Sequence, residues 1–395
     1  MITSDRKISI LFFNLYTVMG GGELAVYNQL KEIDRSRFRP VMMFNSRGTF
    51  AEKAESIGIE TVVLNYPVIM LKKLINPRIL MEANRASKDI FNYLSKNRID
   101  VIHCTDVLSL LLIARSARKL KIPVIYNVIF FYEWTRLLLF NILAPFVVSK
   151  IITNSYAVKR DLIRRTFFVG KEISTVYPGL DMSVFRPLRG REKNILTEEF
   201  HIAPDVKLIG IVGRIDPTKG QLTFVRAASL LLQKRKDIHF FVVGGLLNER
   251  VIPSLKRYYD DTVKAYQKLN LQKNVTFLGD RHEVPEIMRS LDLVVCPSVN
   301  EGFGMVVLEA VASGSKVIAS RTVGALEVVE DFPGVFTTEP DDPEALARKF
   351  TEALAYERKI NADIVRKRLE DLSWHNYAVK LEEWYLKISQ SKELL

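Results

Sequence analysis

The chain is poor in cysteine, in histidine and in long uninterrupted apolar runs. Its 395 residues include two cysteines and five histidines. Cys104 and Cys296 each close a strand-like run in a different half, which excludes a disulfide framework and a cysteine-based metal site and fits a reducing cytoplasm. The N-terminus, Met-Ile-Thr-Ser-Asp-Arg-Lys, lacks the apolar core of a signal peptide and leads straight into a strand-like segment. The longest apolar stretch, residues 129–148, is broken by Glu133 and Arg136, so it does not read as a transmembrane span. No two aspartates stand as Asp-x-Asp, an arrangement typical of enzymes that hold a sugar nucleotide through a divalent ion.

What is present describes a globular chain long enough for two domains, 48% hydrophobic and 26% charged. The net charge of +12 is unevenly placed. Residues 1–190 carry 28 Lys and Arg against 15 Asp and Glu, whereas residues 191–395 carry 29 against 30. The whole excess belongs to the first half, which suits contact with an anionic partner such as a membrane leaflet or a phosphorylated acceptor. Two stretches interleave apolar residues with cations: residues 66–80, with Lys72, Lys73 and Arg78, and residues 130–140, with Trp134 beside Arg136. Ordinary core helices account for either one alone, but with the charge asymmetry they point to peripheral membrane contact. No nucleic-acid-binding module accompanies the pI of about 9.5.

The first half alternates strand and helix patterns. The run Ile8 to Phe13 is followed by Gly20, Gly21 and Gly22 and then a helical pattern, which reads as the opening βα unit of a doubly wound sheet. Further runs at 41–44, 61–64, 101–103, 124–128, 151–153 and 173–176 predict a mostly parallel sheet covered on both faces. His103 closes the run at 101–103, and a lone His at a strand end is more often a structural hydrogen-bonder than a catalyst. The second half opens with a strand ending at Gly213, followed by Arg214 and Lys219, two cations placed to take the charge of a diphosphate. Strands at 240–243, 275–278 and 293–296 follow, with Gly244, Gly245 and Gly279 at C-terminal ends.

The most informative stretch is residues 293–320. An apolar run stops at Pro297, a polar and Gly-rich turn follows, residues 305–313 read as a short helix closed by Gly314, and a second run starts at Lys316. Glu301 lies at the strand end, where open α/β sheets bind ligands. Glu309 lies inside an otherwise apolar helix, where a carboxylate costs free energy without a partner. Gly302 and Gly304 let the backbone approach a ligand at a helix N-terminus. A capping acid plus a surface acid is the plainer explanation of such a pair; a bound polyol is the functional one.

The whole block resembles the Glu-x7-Glu signature of retaining glycosyltransferases of family 4, which have the GT-B fold. Gly213-Arg214 through Lys219-Gly220 resembles that family's Gly-Arg-x4-Lys-Gly loop, Gly20, Gly21 and Glu23 its Gly-Gly-x-Glu loop, and Val323 to Glu330, with Gly324 and Glu327, its last donor loop. Ser155 resembles the family's helix-capping serine, and Gly179 and Asp181 keep the hinge pattern, with Pro178 where Asn is usual. The resemblance implies an α/β chain of two Rossmann-like doubly wound domains facing a central cleft. Residues 1–187 are expected to form the acceptor-side domain, 188–370 the nucleotide-sugar domain, and 371–395 a helix crossing back onto the first.

The resemblance further implies that Glu309 holds the nucleotide ribose, and that Glu301 with the amides of Gly302, Phe303, Gly304, Met305 and Val306 holds the donor sugar. Arg214 and Lys219 would bind the diphosphate, Gly20, Gly21 and Gly22 would face it, and Gly213, Gly244 and Gly279 would line the donor site. His103 falls where the family commonly has a His near the sugar, while Ile129 stands where many members carry a second His, Glu133 being the nearest polar substitute. The expected activity is retaining, metal-independent transfer of a hexosyl unit from a nucleotide-diphosphate sugar, without cofactor, to a lipid-linked or surface-polysaccharide acceptor. The expected place is the cytoplasm, at the inner face of the membrane. A GT-B sugar-nucleotide epimerase and a catalytically silent nucleotide-sugar-binding protein are the rivals.

Overall fold

The computed structural model describes residues 6–15, 17, 19–66, 76–167, 172–246, 253–357 and 361–391. The chain divides into two compact units, Met1–Gly179 with Leu372–Leu395, and Leu180–Asp371.

The first unit is built on seven parallel strands: β1 (Ile8–Phe13), β2 (Phe38–Phe44), β3 (Glu60–Val63), β4 (Val101–Cys104), β5 (Val124–Val128), β6 (Lys150–Thr153) and β7 (Ile173–Thr175). Their order in the sheet is β3-β2-β1-β4-β5-β6-β7. Between them run α1 (Gly21–Glu32), α2 (Thr49–Ser56), α3 (Pro77–Lys96), α4 (Val107–Lys119), α5 (Trp134–Val147) and α6 (Tyr156–Arg165). Successive strand residues point to opposite faces. Leu11 and Phe13 accordingly enter one core, with Val107, Leu110 and Phe140 of α4 and α5, and Ile10 and Phe12 enter the other, with Leu30, Phe50 and Ala54 of α1 and α2. Ser155 caps α6, its hydroxyl accepting from the Val158 amide. Of the two interleaved stretches, residues 67–75 with Lys72 and Lys73 lie outside the described residues, whereas Arg78 heads α3.

The second unit has the same winding with one strand fewer. It contains α7 (Ile195–Glu199), β8 (Lys207–Val212), α8 (Gln221–Leu232), β9 (Ile238–Val243), α9 (Pro253–Lys268), β10 (Val275–Gly279), α10 (Val284–Ser290) and β11 (Leu293–Cys296). Then come α11 (Met305–Ala312), β12 (Lys316–Ser320), α12 (Leu326–Val329), β13 (Val335–Thr338), α13 (Pro343–Ala355) and α14 (Ala362–Leu369). The sheet order is β10-β9-β8-β11-β12-β13, again all parallel.

One difference from expectation concerns a boundary and another a strand. The first unit ends at Gly179 and not at residue 187, because residues 180–187 are bonded into the second: Arg289 donates to the Val184 carbonyl, and Pro187 packs against Gly314. β13 was not anticipated. The final helix, α15 (Trp374–Ser391), belongs to the first unit. Tyr377, Leu381, Tyr385 and Ile388 recur at helical spacing and join the core with Phe12 and Phe38. Its entry fits tightly, since a Cβ at Gly179 would meet the Trp374 amide nitrogen at 2.4 Å. Both cysteines are buried free thiols.

Candidate functional site

In an open doubly wound sheet the ligand site lies beyond the strand C-termini at the point where strand order reverses. In the second unit that point is between β8 and β11. The loops after these strands are bonded to one another: the Val299 amide donates to the Thr218 carbonyl at 2.9 Å.

The loop after β8 is shaped by Asp216. Its carboxylate caps the short turn at Pro217–Lys219, accepting from the Thr218 amide at 2.9 Å and the Thr218 hydroxyl at 2.7 Å, and it holds the Arg214 guanidinium at 2.9 Å. Gln221 donates to the Arg214 carbonyl at 2.8 Å. An Asp followed by Pro is a strong helix-start signal, and it could have revealed Asp216 in the sequence. Gly220 then turns the chain at φ +79°, where a Cβ would meet the Pro297 carbonyl oxygen at 2.4 Å.

Lys219 and Glu301 meet here. The Lys219 ammonium donates to Glu301 Oε2, joining residues 82 positions apart. Burial opposes the Lys219 charge, but the Glu301 carboxylate outweighs it and holds the pKa above the ordinary lysine value. Beneath them Cys296 is buried, which pushes its thiol up to about 11 and leaves it inert.

The glycine-rich turn between β11 and α11 is locked to the loop after β12. The Phe303 carbonyl accepts from the Ala325 amide at 2.7 Å, the Glu301 carbonyl from Gly324 at 3.3 Å, and the Ser298 carbonyl from the Thr322 hydroxyl at 2.7 Å. Gly304 sits at φ +92° immediately before Met305 and Val306, the first residues of α11. Glu309 follows one turn later, half-buried, and among the described residues no hydrogen bond or ion pair reaches its carboxylate. Burial raises its pKa to about 7. A carboxylate left without a protein partner in such a position is ready to accept hydroxyl groups of a ligand.

The ends of β9 and β10 complete the rim. The Gly244 amide donates to the Gly279 carbonyl at 2.8 Å, and a Cβ at Gly244 would lie 2.2 Å from the Gly213 carbonyl oxygen. Gly213, Gly244 and Gly279 are therefore brought together, as are Arg214 with Asp216 and Lys219 with Glu301.

The first unit reverses strand order between β1 and β4. Gly20, Gly21 and Gly22 lie at the head of α1, with the Gly20 amide donating to Glu23 Oε2 at 3.0 Å. Ile129 closes on this turn, so that a Cβ at Gly22 would meet its Cδ1 at 2.6 Å. His103 is sealed inside the core, stacked on Phe12 with ring centroids 5.2 Å apart. Its Nδ1 lies 2.5 Å from the Tyr385 hydroxyl, which also accepts from Gln29 at 2.6 Å. Gln29 donates to the phenol oxygen, the phenol and Nδ1 share one further proton, and Nε2 has no partner among the described residues. Burial lowers the pKa to about 3. His103 is thus a neutral structural group, and its expected place beside the sugar is withdrawn.

Two family profiles match the chain in succession: Glycosyltransferase Family 4 over residues 19–184 and Glycosyl transferases group 1 over residues 192–369. The chain belongs to the family 4 glycosyltransferases. This transferase is similar to the D-inositol 3-phosphate glycosyltransferase of Corynebacterium glutamicum (strain R), 32% identical over 160 residues, 40% of this chain and 37% of that one. The Corynebacterium urealyticum protein of the same name is 29% identical over 224 residues, 54% of this chain and 50% of that one. The matched stretches thus span no more than half the length of these two relatives.

The solved structures share the glycosyltransferase's fold over nearly all its length. A glycosyltransferase from Rickettsia africae superposes with a TM-score of 0.80 at 20% identity, covering 97% of this chain and 98% of that one. Anabaena Alr3699/HepE, solved in complex with UDP and glucose, superposes with a TM-score of 0.76 at 23% identity, covering 95% and 98%. The architecture is GT-B, with two Rossmann-like units. Among its described residues no helix is long and apolar enough to cross a membrane.

Proposed function

We propose that this glycosyltransferase moves a hexosyl unit from a nucleotide-diphosphate sugar to a lipid-linked or surface-polysaccharide acceptor, with retention at the anomeric carbon and without a metal ion. The observation that carries the reading is the half-buried Glu309 carboxylate, which has no partner among the described residues, on the helix that follows the Lys219–Glu301 pair. Glu309 would accept the ribose hydroxyls. Glu301 and the amides after it would hold the sugar, and Arg214 and Lys219 the diphosphate, neutralising it as the sugar–phosphate bond breaks. The acceptor oxygen would bond to the anomeric carbon on the face the phosphate leaves, a phosphate oxygen taking its proton. Arg214 and Lys219 would stand at the leaving group in place of a divalent ion.

The test is a thermal-shift screen of UDP-, GDP-, ADP- and dTDP-sugars, since a ligand bound only by the native state raises the melting point. The stabilising donor is then incubated with lipid-linked and saccharide acceptors in EDTA. A product with the donor's anomeric configuration, formed in chelator, is expected. No stabilising nucleotide sugar, activity restored only by Mg²⁺ or Mn²⁺, or a new sugar isomer from donor alone would overturn the reading.

A further inference from the structure

α5 is apolar on two opposite sides. Leu137, Phe140, Ala144 and Val147 face the core of the first unit. The outward arc carries Trp134, Leu138, Ile142 and Phe146, which are 72, 50, 56 and 67% exposed. Successive members lie four residues apart, so the stripe drifts across about 120° of the helix surface. Thr135 and Pro145 complete this arc, and no charged residue falls on it. A helix apolar all round is normally enclosed on every side, yet this one meets water along its length.

The patch extends beyond the helix. Asn141 donates to the Arg165 carbonyl at 3.2 Å and accepts from the Phe167 amide at 3.2 Å, which fixes the end of α6 beside α5. Ile163 and Phe167, 54 and 85% exposed, are carried by that segment. The rim is cationic. Arg118 of α4 lies over the Phe146 ring at 5.8 Å, and Arg136 over the Phe130 ring at 5.5 Å. From residue 107 to 167 there are nine Lys and Arg besides the buried Lys150, against two acids, Glu133 and Asp161. Asp161 is engaged by Arg165 at 3.0 Å.

We infer that this face of α4, α5 and the end of α6 docks on an anionic lipid bilayer, the apolar stripe entering the acyl boundary and the arginines meeting the headgroup phosphates. The charge decides the occupant. An apolar stripe ringed by one sign of charge matches a surface that is apolar within and negative outside. A second copy of the chain would oppose this cationic rim with its own. The inference gives a place to the lipid-linked acceptor reading and rests on it only for its purpose, because vesicle binding is read without donor or acceptor.

The experiment is flotation of the full chain with phosphatidylglycerol–phosphatidylcholine vesicles and with phosphatidylcholine alone, with the emission of Trp134 followed in parallel. Binding to the anionic vesicles with a blue shift is expected, weakened more than tenfold by Trp134→Ser/Ile142→Ser/Phe146→Ser, and weakened by Arg118→Gln and by salt. These side chains are exposed, so an unchanged melting temperature verifies the fold. No binding to anionic vesicles, equal binding by the triple variant, or concentration-dependent dimerisation that the variant abolishes would each overturn it. A chain that binds vesicles and transfers no sugar would sink the transferase reading and leave this one standing.

Discussion

Lys219 and Glu301 are joined by a charge-assisted hydrogen bond between the first and fourth strands of the second unit, at the reversal of strand order. Each neutralises the other, so removing either leaves a partly buried charge unmatched. Such bonds contribute about 1.5–3 kcal/mol. Lys219→Ala is predicted to weaken nucleoside diphosphate binding at least tenfold, because one of the two cations is lost and the carboxylate left behind repels the anion. Glu301→Gln keeps a hydrogen bond and frees the ammonium; it is predicted to leave diphosphate affinity within about threefold and to slow transfer about a hundredfold. Calorimetry on the diphosphate and initial rates check both, and equal losses of affinity in the two variants would count against this division of labour.

Glu309 makes stability and binding depend on pH in opposite senses. Its folded pKa, about 7, lies above the 4.5 of an ordinary glutamate. Between those values the native state holds more protons than the unfolded state, so stability falls as pH rises through the window and levels off above it. Glu309→Gln cannot ionise and is predicted to be about 1–3 kcal/mol more stable than the parent at pH 8 and no more stable near pH 4. Nucleotide affinity moves the other way, rising with pH in the parent as the carboxylate becomes a full acceptor and staying flat in the variant. Urea melts and calorimetry from pH 4.5 to 8.5 test both, a pH-independent stability difference being the contrary result.

Both predictions rest on residues legible in the sequence, because the features that mark them are local. A strand, a glycine turn and a helix that carry Arg214, Lys219, Glu301 and Glu309 lie within a few residues of each group, and parallel βαβ winding then brings the strand ends together. β13 was less visible: four residues after a Pro-Gly turn are too few to show a period. The boundary was misplaced because residues 180–187 have no regular structure and are held by distant partners such as Arg289. For His103 the strand-end position pointed to a structural hydrogen-bonder, but its partner could not be read. Its deciding contact, Tyr385, lies 282 positions away on a helix whose register against β4 no local pattern encodes.

That contact supports the last prediction. Tyr385 fills two needs at once, receiving the Gln29 amide and satisfying His103 Nδ1 inside the core. Tyr385→Phe keeps the ring packing and leaves both groups unpaired, at a cost of about 1–3 kcal/mol for each buried group; the melting temperature is predicted to fall by several degrees while nucleotide affinity is unchanged. The pH dependence identifies the histidine. Its folded pKa of about 3 lies below the ordinary 6.5, so its contribution is complete above pH 6.5 and is lost as pH falls toward 3. His103→Leu removes that proton uptake, and its stability is predicted to decline less steeply than the parent's across this range. In the parent, the His103 imidazole resonance is predicted to stay at its neutral position from pH 8 down to 5. An imidazole titrating near 6.5 would mean that the ring reaches solvent and would return His103 to the chemistry.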